Sequence, residues 1–338
     1  MTQIKNNINT YADLTAYNAD TNKEYPNVSY IEGTDEVKWY RYDPDHIVCV
    51  YNVTSTESAT KLLNANTSIT YQIIDGVQQQ SIQMNYTFDT LGEHIVKYKM
   101  NVTYINSQIL FYICPNLVSV VIPETITRIE NAALFGSCSN LTNVVLPKTF
   151  TLIGSRVFEY CSKLTAISIP NSVTEIRNCF SNSGLTYIDL PNSVTTLNGT
   201  FDTAQSLKRV NSNVDGECNI PNSVTTIGVS TFSQATGLTS INIPDSVTTI
   251  GTTAFTGNRN LRQITIGSGI TSIGNQTTTN SDRIQSITIK ATTPPTISEL
   301  TWQSTTCPIY VPAESVDAYK AATNWSDYAS RIQAIPSV

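Results

Sequence analysis

From Leu117 onward, apolar and polar positions recur in one fixed phrase, L-T-x-φ-x-φ-P-x-S-V-T-x-I-G-x-x-x-F, with φ an apolar residue. The clearest copy runs from Leu238 to Phe255, LTSINIPDSVTTIGTTAF. Copies begin at Leu117, Leu141, Leu164, Leu185, Leu207, Leu238, Leu261 and Ile284, with spacings of 24, 23, 21, 22, 31, 23 and 23 residues. In each copy apolar residues fall as Leu238, Ile241 and Ile243 do. The alternation at the end predicts a short strand with Asn242 facing outward. A proline then ends the strand, because it has no N–H to donate to a ladder. It stands at Pro123, Pro147, Pro170, Pro191, Pro221 and Pro244. A second apolar pair, Val247 and Ile250, brings the chain back over the same core. Phe135, Phe158, Phe180, Phe201, Phe232 and Phe255 close the turns and are expected to stack as an internal spine. One copy cannot bury its own apolar side, whereas stacked copies bury a continuous one. Eight coils at ~4.8 Å per rung give a rod roughly 40 Å long.

The phrases IPNSVTEI (169–176), IPNSVTTI (220–227) and IPDSVTTI (243–250) resemble the leucine-rich repeats of the BspA type. The resemblance covers about 117–290. It implies a mainly β leucine-rich-repeat solenoid of about eight coils, of a kind found in bacterial surface proteins and phage proteins. Two copies depart from the pattern. Copy seven has Gly267 for proline and Thr278 for phenylalanine, so it reads as a degenerate end repeat. Copy five carries extra residues around Arg209 to Glu217. Cys114, Cys138 and Cys161 each lie three residues before a first leucine. They read as a column of small buried apolar residues, against the alternative of a redox or metal ladder.

The flanks follow other patterns. Residues 45–105 contain β-rich runs, His46–Val53, Ser68–Ile74 and Glu93–Val102, with a hairpin signal at Asp75-Gly76. The phrase YTFDTLGEHIVKYKM (86–100) resembles a strand pair of small immunoglobulin-like modules, so this stretch is expected to be an immunoglobulin-like β domain. His94 reads as a strand residue at a turn. Residues 106–293 hold the solenoid, with Val118 and Val121 expected to lie under the β domain. Residues 294–338 read as a short α/β cap, in which Trp325 serves as core. Residues 1–44 are crowded with aromatics. Tyr11, Leu14, Tyr17, Tyr25, Tyr30, Trp39 and Tyr40 are candidate anchor residues. So short a stretch builds little core by itself. It is expected to pack either on a partner or on residues 45–105. The phrase TYADLTAYNADTN (10–22) resembles the N-terminal attachment segment of head-fibre proteins of tailed phages. That resemblance implies a capsid or other virion protein as partner, a homotrimer, and a place in the virion after assembly in the host cytoplasm.

Composition narrows the chemistry. Charged residues make up 14% of 338 and the net charge is −6, with Ser, Thr and Asn taking the place of charge. No basic footprint for nucleic acid appears, and no apolar run of membrane-spanning length. The first ten residues lack the apolar core of a secretory signal. Two histidines and seven cysteines without a C-x-x-C pair make a usual zinc site unexpected. No Walker loop, G-x-S-x-G elbow or H-E-x-x-H motif occurs. The VDGE stretch (214–217) has too few oxygen ligands for a calcium loop. No cofactor, metal or catalytic residue is therefore expected. What remains is the outward face: Val121, Val145, Ser168, Asp189, Asn219, Asn242, Thr265 and Thr288. Its unusual members give the binding candidates Tyr187, Asp189, Asn242 and Arg262, suited to a glycan or a host-surface protein. The expected function is a non-enzymatic phage virion structural protein, a head fibre. The alternative is a bacterial cell-surface adhesin of the BspA type.

Overall fold

The computed structural model describes residues 29–30, 37–38, 43–64, 68–106, 109–130 and 132–337. Two parallel sheets run along a β-solenoid. One has nine rungs, from Tyr104–Ile105 through Arg128–Ile129 and Thr226–Ile227 to Thr296–Ile297. The other has eight, from Tyr187–Ile188 through Ser240–Ile243 to Ile309–Val311 and Ile332–Ala334. The stack thus runs past the recognisable phrase at both ends. At the front, Leu117–Val121 and Asn143–Val145 pair in parallel within a separate six-stranded sheet.

That third sheet holds the β-rich stretch. His46–Val53 and Gly92–Met100 pair antiparallel over their lengths, and Ile69–Ile74 continues the sheet. The Asp75-Gly76 turn has φ of +46° and +87°, the two positive values that an Asp-Gly hairpin turn requires. Leu117–Val121 joins the outer edge of His46–Val53, with Val120 opposite Cys49 and Val121 opposite Val48. This corrects the expectation for Val118 and Val121. The two parts meet edge to edge in one sheet, and backbone hydrogen bonds make the junction. Ile47, Cys49 and Tyr51 face the common core, while Val48, Val50 and Val121 form a small cluster on the opposite side. One continuous core then runs from Ile47 to Ile332.

The phenylalanine spine is present and longer than the phrase implies. Phe111, Phe135, Phe158, Phe180, Phe201, Phe232 and Phe255 stack with ring centroids 5.3–6.1 Å apart. Thr278 takes the next place, fully buried, and Trp302 fills the one after. Copy seven is therefore an interior coil and not the end repeat expected. Its small threonine is followed by a large indole.

The polar letters of the phrase also have fixed partners. Thr127, Thr151, Thr174, Thr195, Thr225, Thr248, Thr271 and Thr296 each donate their N–H to the carbonyl of the threonine one coil earlier, at 2.7–3.0 Å. Their hydroxyls donate to the same carbonyls at 3.0–3.4 Å. Ser172, Ser193, Ser223 and Ser246 reach back in the same way, at 2.5–2.8 Å. The glycine after the isoleucine is set by close approach. A Cβ on Gly154 would stand 1.5 Å from the Glu130 carbonyl oxygen.

The extra residues of copy five add a rung to one side only. Val210 pairs with Cys218 across the Asn211–Gly216 loop, while Thr196–Asn198 on the other sheet pairs directly with Thr226–Ile227. The far end closes over helical turns at Ala313–Ser315, Val316–Ala321 and Ser326–Arg331. Trp325 is buried there as expected, and its indole N–H donates to the Pro295 carbonyl at 2.7 Å. No helix among the described residues is long and apolar enough to cross a membrane.

Candidate binding face

The outward side of the eight-strand sheet follows from its register. Parallel pairing aligns Asn219, Asn242, Thr265 and Thr288, with Tyr310 beyond them, in one row. A second row holds Tyr187 beside Arg209, and Glu217, Ser240, Gln263 and Ser286. Alternation within each strand sends the isoleucines between these rows into the core.

Asn242 is exposed and donates its amide to Asn219 Oδ1 at 2.8 Å, which joins these two members of the row. Asp189 is exposed just beyond the Tyr187–Ile188 strand. Tyr187 is half-buried, with the Arg209 guanidinium 5.0 Å from its ring centroid. Arg209 also lies 3.7 Å from Asp215, and Glu217 accepts a hydrogen bond from Ser212 at 2.8 Å. The VDGE carboxylates are thus engaged by an arginine and a serine. Arg262 precedes the strand Gln263–Ile266 and is half-buried, so it stands outside both rows. Asn242 lies three rungs from Tyr187, roughly 14 Å at ~4.8 Å per rung. The four candidates therefore share one side of the rod but do not converge on a single small-molecule site. Arg209 is the residue the sequence reading missed. Its signal was its place at the start of the insertion, where one extra strand sets it against Tyr187.

Of the anchor candidates, Tyr11, Leu14, Tyr17, Tyr25, Trp39 and Tyr40 lie outside the described residues. Tyr30 belongs to the strand Ser29–Tyr30, which pairs antiparallel with Val37–Lys38.

The cysteine column is buried as expected, and its thiols also make hydrogen bonds. Cys138 and Cys161 donate from Sγ to the carbonyls of Phe111 and Phe135, at 2.9 and 3.1 Å. Later coils make the same bond with other donors. Asn258 Nδ2 reaches the Phe232 carbonyl and Ser281 Oγ the Phe255 carbonyl, both at 2.8 Å. Cys138, Cys161, Asn258 and Ser281 thus share a compact donor to the spine residue one coil earlier, while Ala204 and Ala235 hold the same place by small size alone. Burial pushes the Cys138 thiol up to about 12 and raises Cys161 well above its ordinary value. Both stay protonated donors and poor nucleophiles. Among the described residues no group of three or more His, Cys, Asp or Glu is placed to hold a metal ion.

Both histidines sit in the front sheet. His46 contacts Asp43 through Nδ1 at 2.7 Å and the Tyr71 hydroxyl through Nε2 at 2.8 Å. Lys97 lies 2.9 Å from the other Asp43 oxygen. Partial burial works to raise the Asp43 carboxyl, but the hydrogen bonds from His46 and Lys97 outweigh it and hold the group at about 2. His94 contacts Asp75 at 2.7 Å and the Thr90 carbonyl at 2.9 Å. These arrangements fasten strand ends to loops.

No curated protein matches. Among solved structures, a leucine-rich repeat protein from T. pallidum is 21% identical, covering 59% of this chain and 90% of its own, at a TM-score of 0.41. One from Bacteroides ovatus is 20% identical, covering 78% and 80%, at a TM-score of 0.38. A leucine-rich cell surface protein from Faecalibacterium prausnitzii is 19% identical, covering 71% and 93%, at a TM-score of 0.28. The model of the BspA-type leucine-rich repeat region matches residues 49–132, 80–208 and 210–308, with six copies. That match covers most of the chain and begins inside the front sheet, ahead of the first legible phrase. The chain belongs to the BspA-type leucine-rich repeat family.

Proposed function

We propose that the chain is a non-enzymatic adhesion protein, a rod that offers the outward rows of its eight-strand sheet to a glycan or protein on a host surface. The aligned row Asn219, Asn242, Thr265 and Thr288 carries this reading. It is a periodic array of neutral donors and acceptors at the spacing of the rungs. Such an array suits many weak hydrogen bonds to an extended ligand. The test is adherence of the purified chain to host cells, before and after Asn242→Lys with Thr265→Lys. Loss of adherence with an unchanged melting temperature supports the face. Unchanged adherence excludes it.

The finer reading adds a mount. Residues 1–44 would attach the chain to a phage capsid as a head fibre, assembled as a homotrimer. The phrase TYADLTAYNADTN (10–22) and the aromatic density of the segment support this. Deleting 1–44 should abolish incorporation into particles while the repeats still fold. Mass spectrometry of purified particles that shows unchanged occupancy would sink it and favour the cell-surface adhesin.

A further inference from the structure

Near the far end of the rod lies an open cavity of about 740 Å³, within the range of small-ligand sites. Arg259 and Asn260 line it from the turn before Leu261, and Asp282 and Arg283 from the turn before Ile284, one coil on. Thr236 and Ser304 bound it on the coils to either side, with Asn280 on its wall. Asn260 is braced by its own amide, which donates to the Thr236 carbonyl at 2.8 Å.

The arginines set this cavity apart. Elsewhere among the described residues every arginine except the half-buried Arg262 has a partner. Arg128, Arg156, Arg177 and Arg209 face Glu130, Glu159, Glu175 and Asp215. Arg331 donates to the carbonyls of Cys307 and Thr305. Arg259 and Arg283 have no ion-pair partner among the described residues, and both are exposed. A chain of net charge −6 thus holds two unpaired guanidiniums on one concave polar wall.

We propose that this cavity binds a sugar residue that carries one carboxylate, within a host glycan. This rests on the adhesion reading and places a second contact on the same rod, away from the outward rows. The guanidinium pair supplies planar donors matched to a carboxylate. Asn260, Asn280, Thr236 and Ser304 supply donors and acceptors for hydroxyls. Asp282 accepts from a hydroxyl and opposes any densely anionic polymer such as a nucleic acid. Hydroxyl groups around a single negative charge are the pattern this lining complements.

The test is calorimetric titration of the full chain with 3′-sialyllactose and trigalacturonate as carboxylated probes, lactose 3′-sulfate as the sulfated one, and lactose as the neutral one. A carboxylated probe should bind at least about tenfold more tightly than lactose, and binding should weaken as salt rises. Arg259→Gln with Arg283→Gln should remove about tenfold or more of the affinity while leaving the melting temperature unchanged. Equal binding of lactose, binding of the sulfated probe alone, or full affinity in the double variant overturns the proposal. Adherence to host cells is measured in parallel. Wild-type adherence that the arginine variant retains defeats the cavity alone, and a wild-type chain that adheres to no host cell defeats the adhesion reading itself.

Discussion

The front sheet and the rungs behind it hold together by different chemistry. In the front sheet, carboxylates clasp lysines and histidines: Asp43 takes His46 and Lys97, Asp45 takes Lys99 at 3.4 Å, and Asp75 takes His94. In the rungs, most side-chain bonds between coils are neutral ladders of Ser, Thr, Asn and thiol donors, with the Glu124 and Asp245 carboxylates accepting from the next coil at two places. The difference follows from repetition. A charge placed at one position of a coil meets its own copy ~4.8 Å away in the next. Even at the dielectric of water that repulsion is about 1 kcal/mol per neighbouring pair. A hydroxyl or amide both donates and accepts, so it can be repeated without penalty. Low charge is thus a condition of stacking. Some charges that enter the rungs come as opposite pairs on one coil, as with Arg128 and Glu130 or Glu175 and Arg177.

The largest effect should come from the spine. Phe158 is fully buried between Phe135 and Phe180, at 5.9 and 5.7 Å. Phe158→Ala should destabilise by roughly 3–5 kcal/mol. Urea unfolding measures it, and a midpoint that hardly moves would break the claim that the rungs depend on a shared core.

Next comes the donor column, which separates a packing role from a thiol role. Cys161→Ser keeps a donor to the Phe135 carbonyl, as Ser281 does for Phe255, and should cost within about 1 kcal/mol. Cys161→Ala loses both the donor and volume and should cost about 1–3 kcal/mol. Equal melting temperatures for the two variants would show that the hydrogen bond contributes nothing.

These same columns show what sequence could and could not reveal. The strands, the prolines and the spine were legible because each is a period in hydrophobicity. The cap was legible from its helical spacing and the buried Trp325. The Ser and Thr of the phrase were visible but not their partners, which lie about one coil away in sequence. The edge-on junction was hidden because Leu117–Val121 has the same composition whether it is covered by a domain or paired to a strand. The arginine cavity was hidden for a similar reason. Arg259 and Arg283 stand 24 residues apart, in turns where the phrase has no fixed letter.

The front sheet should respond to pH through Asp43. Asp43 in the folded chain sits at about 2, below its unfolded value near 4. A depressed carboxyl stabilises the fold above its unfolded pKa, and that contribution is lost as pH falls through the folded one. The melting temperature of wild type should therefore exceed that of Asp43→Asn at pH 6. The gap should close between pH ~4 and ~2. A constant gap would show that Asp43 acts through shape and not charge.

The smallest effect tests the ladder itself. Thr195→Val keeps the β-branched shape and the backbone N–H bond to the Thr174 carbonyl, and removes only the hydroxyl bond at 3.3 Å. Because that carbonyl keeps one partner, no buried group is left unsatisfied, and the cost should be about 0.5 kcal/mol. The same change at Asp43's neighbour Lys97, Lys97→Met, removes one ion pair and should cost at most about 1 kcal/mol. Salt distinguishes them: 1 M NaCl should shrink the Lys97 effect and leave the Thr195 effect as it was. If both effects responded to salt alike, the contrast between a charged front and a neutral rod would fail. Thr195 then would be reporting on the same electrostatics as the strands ahead of it.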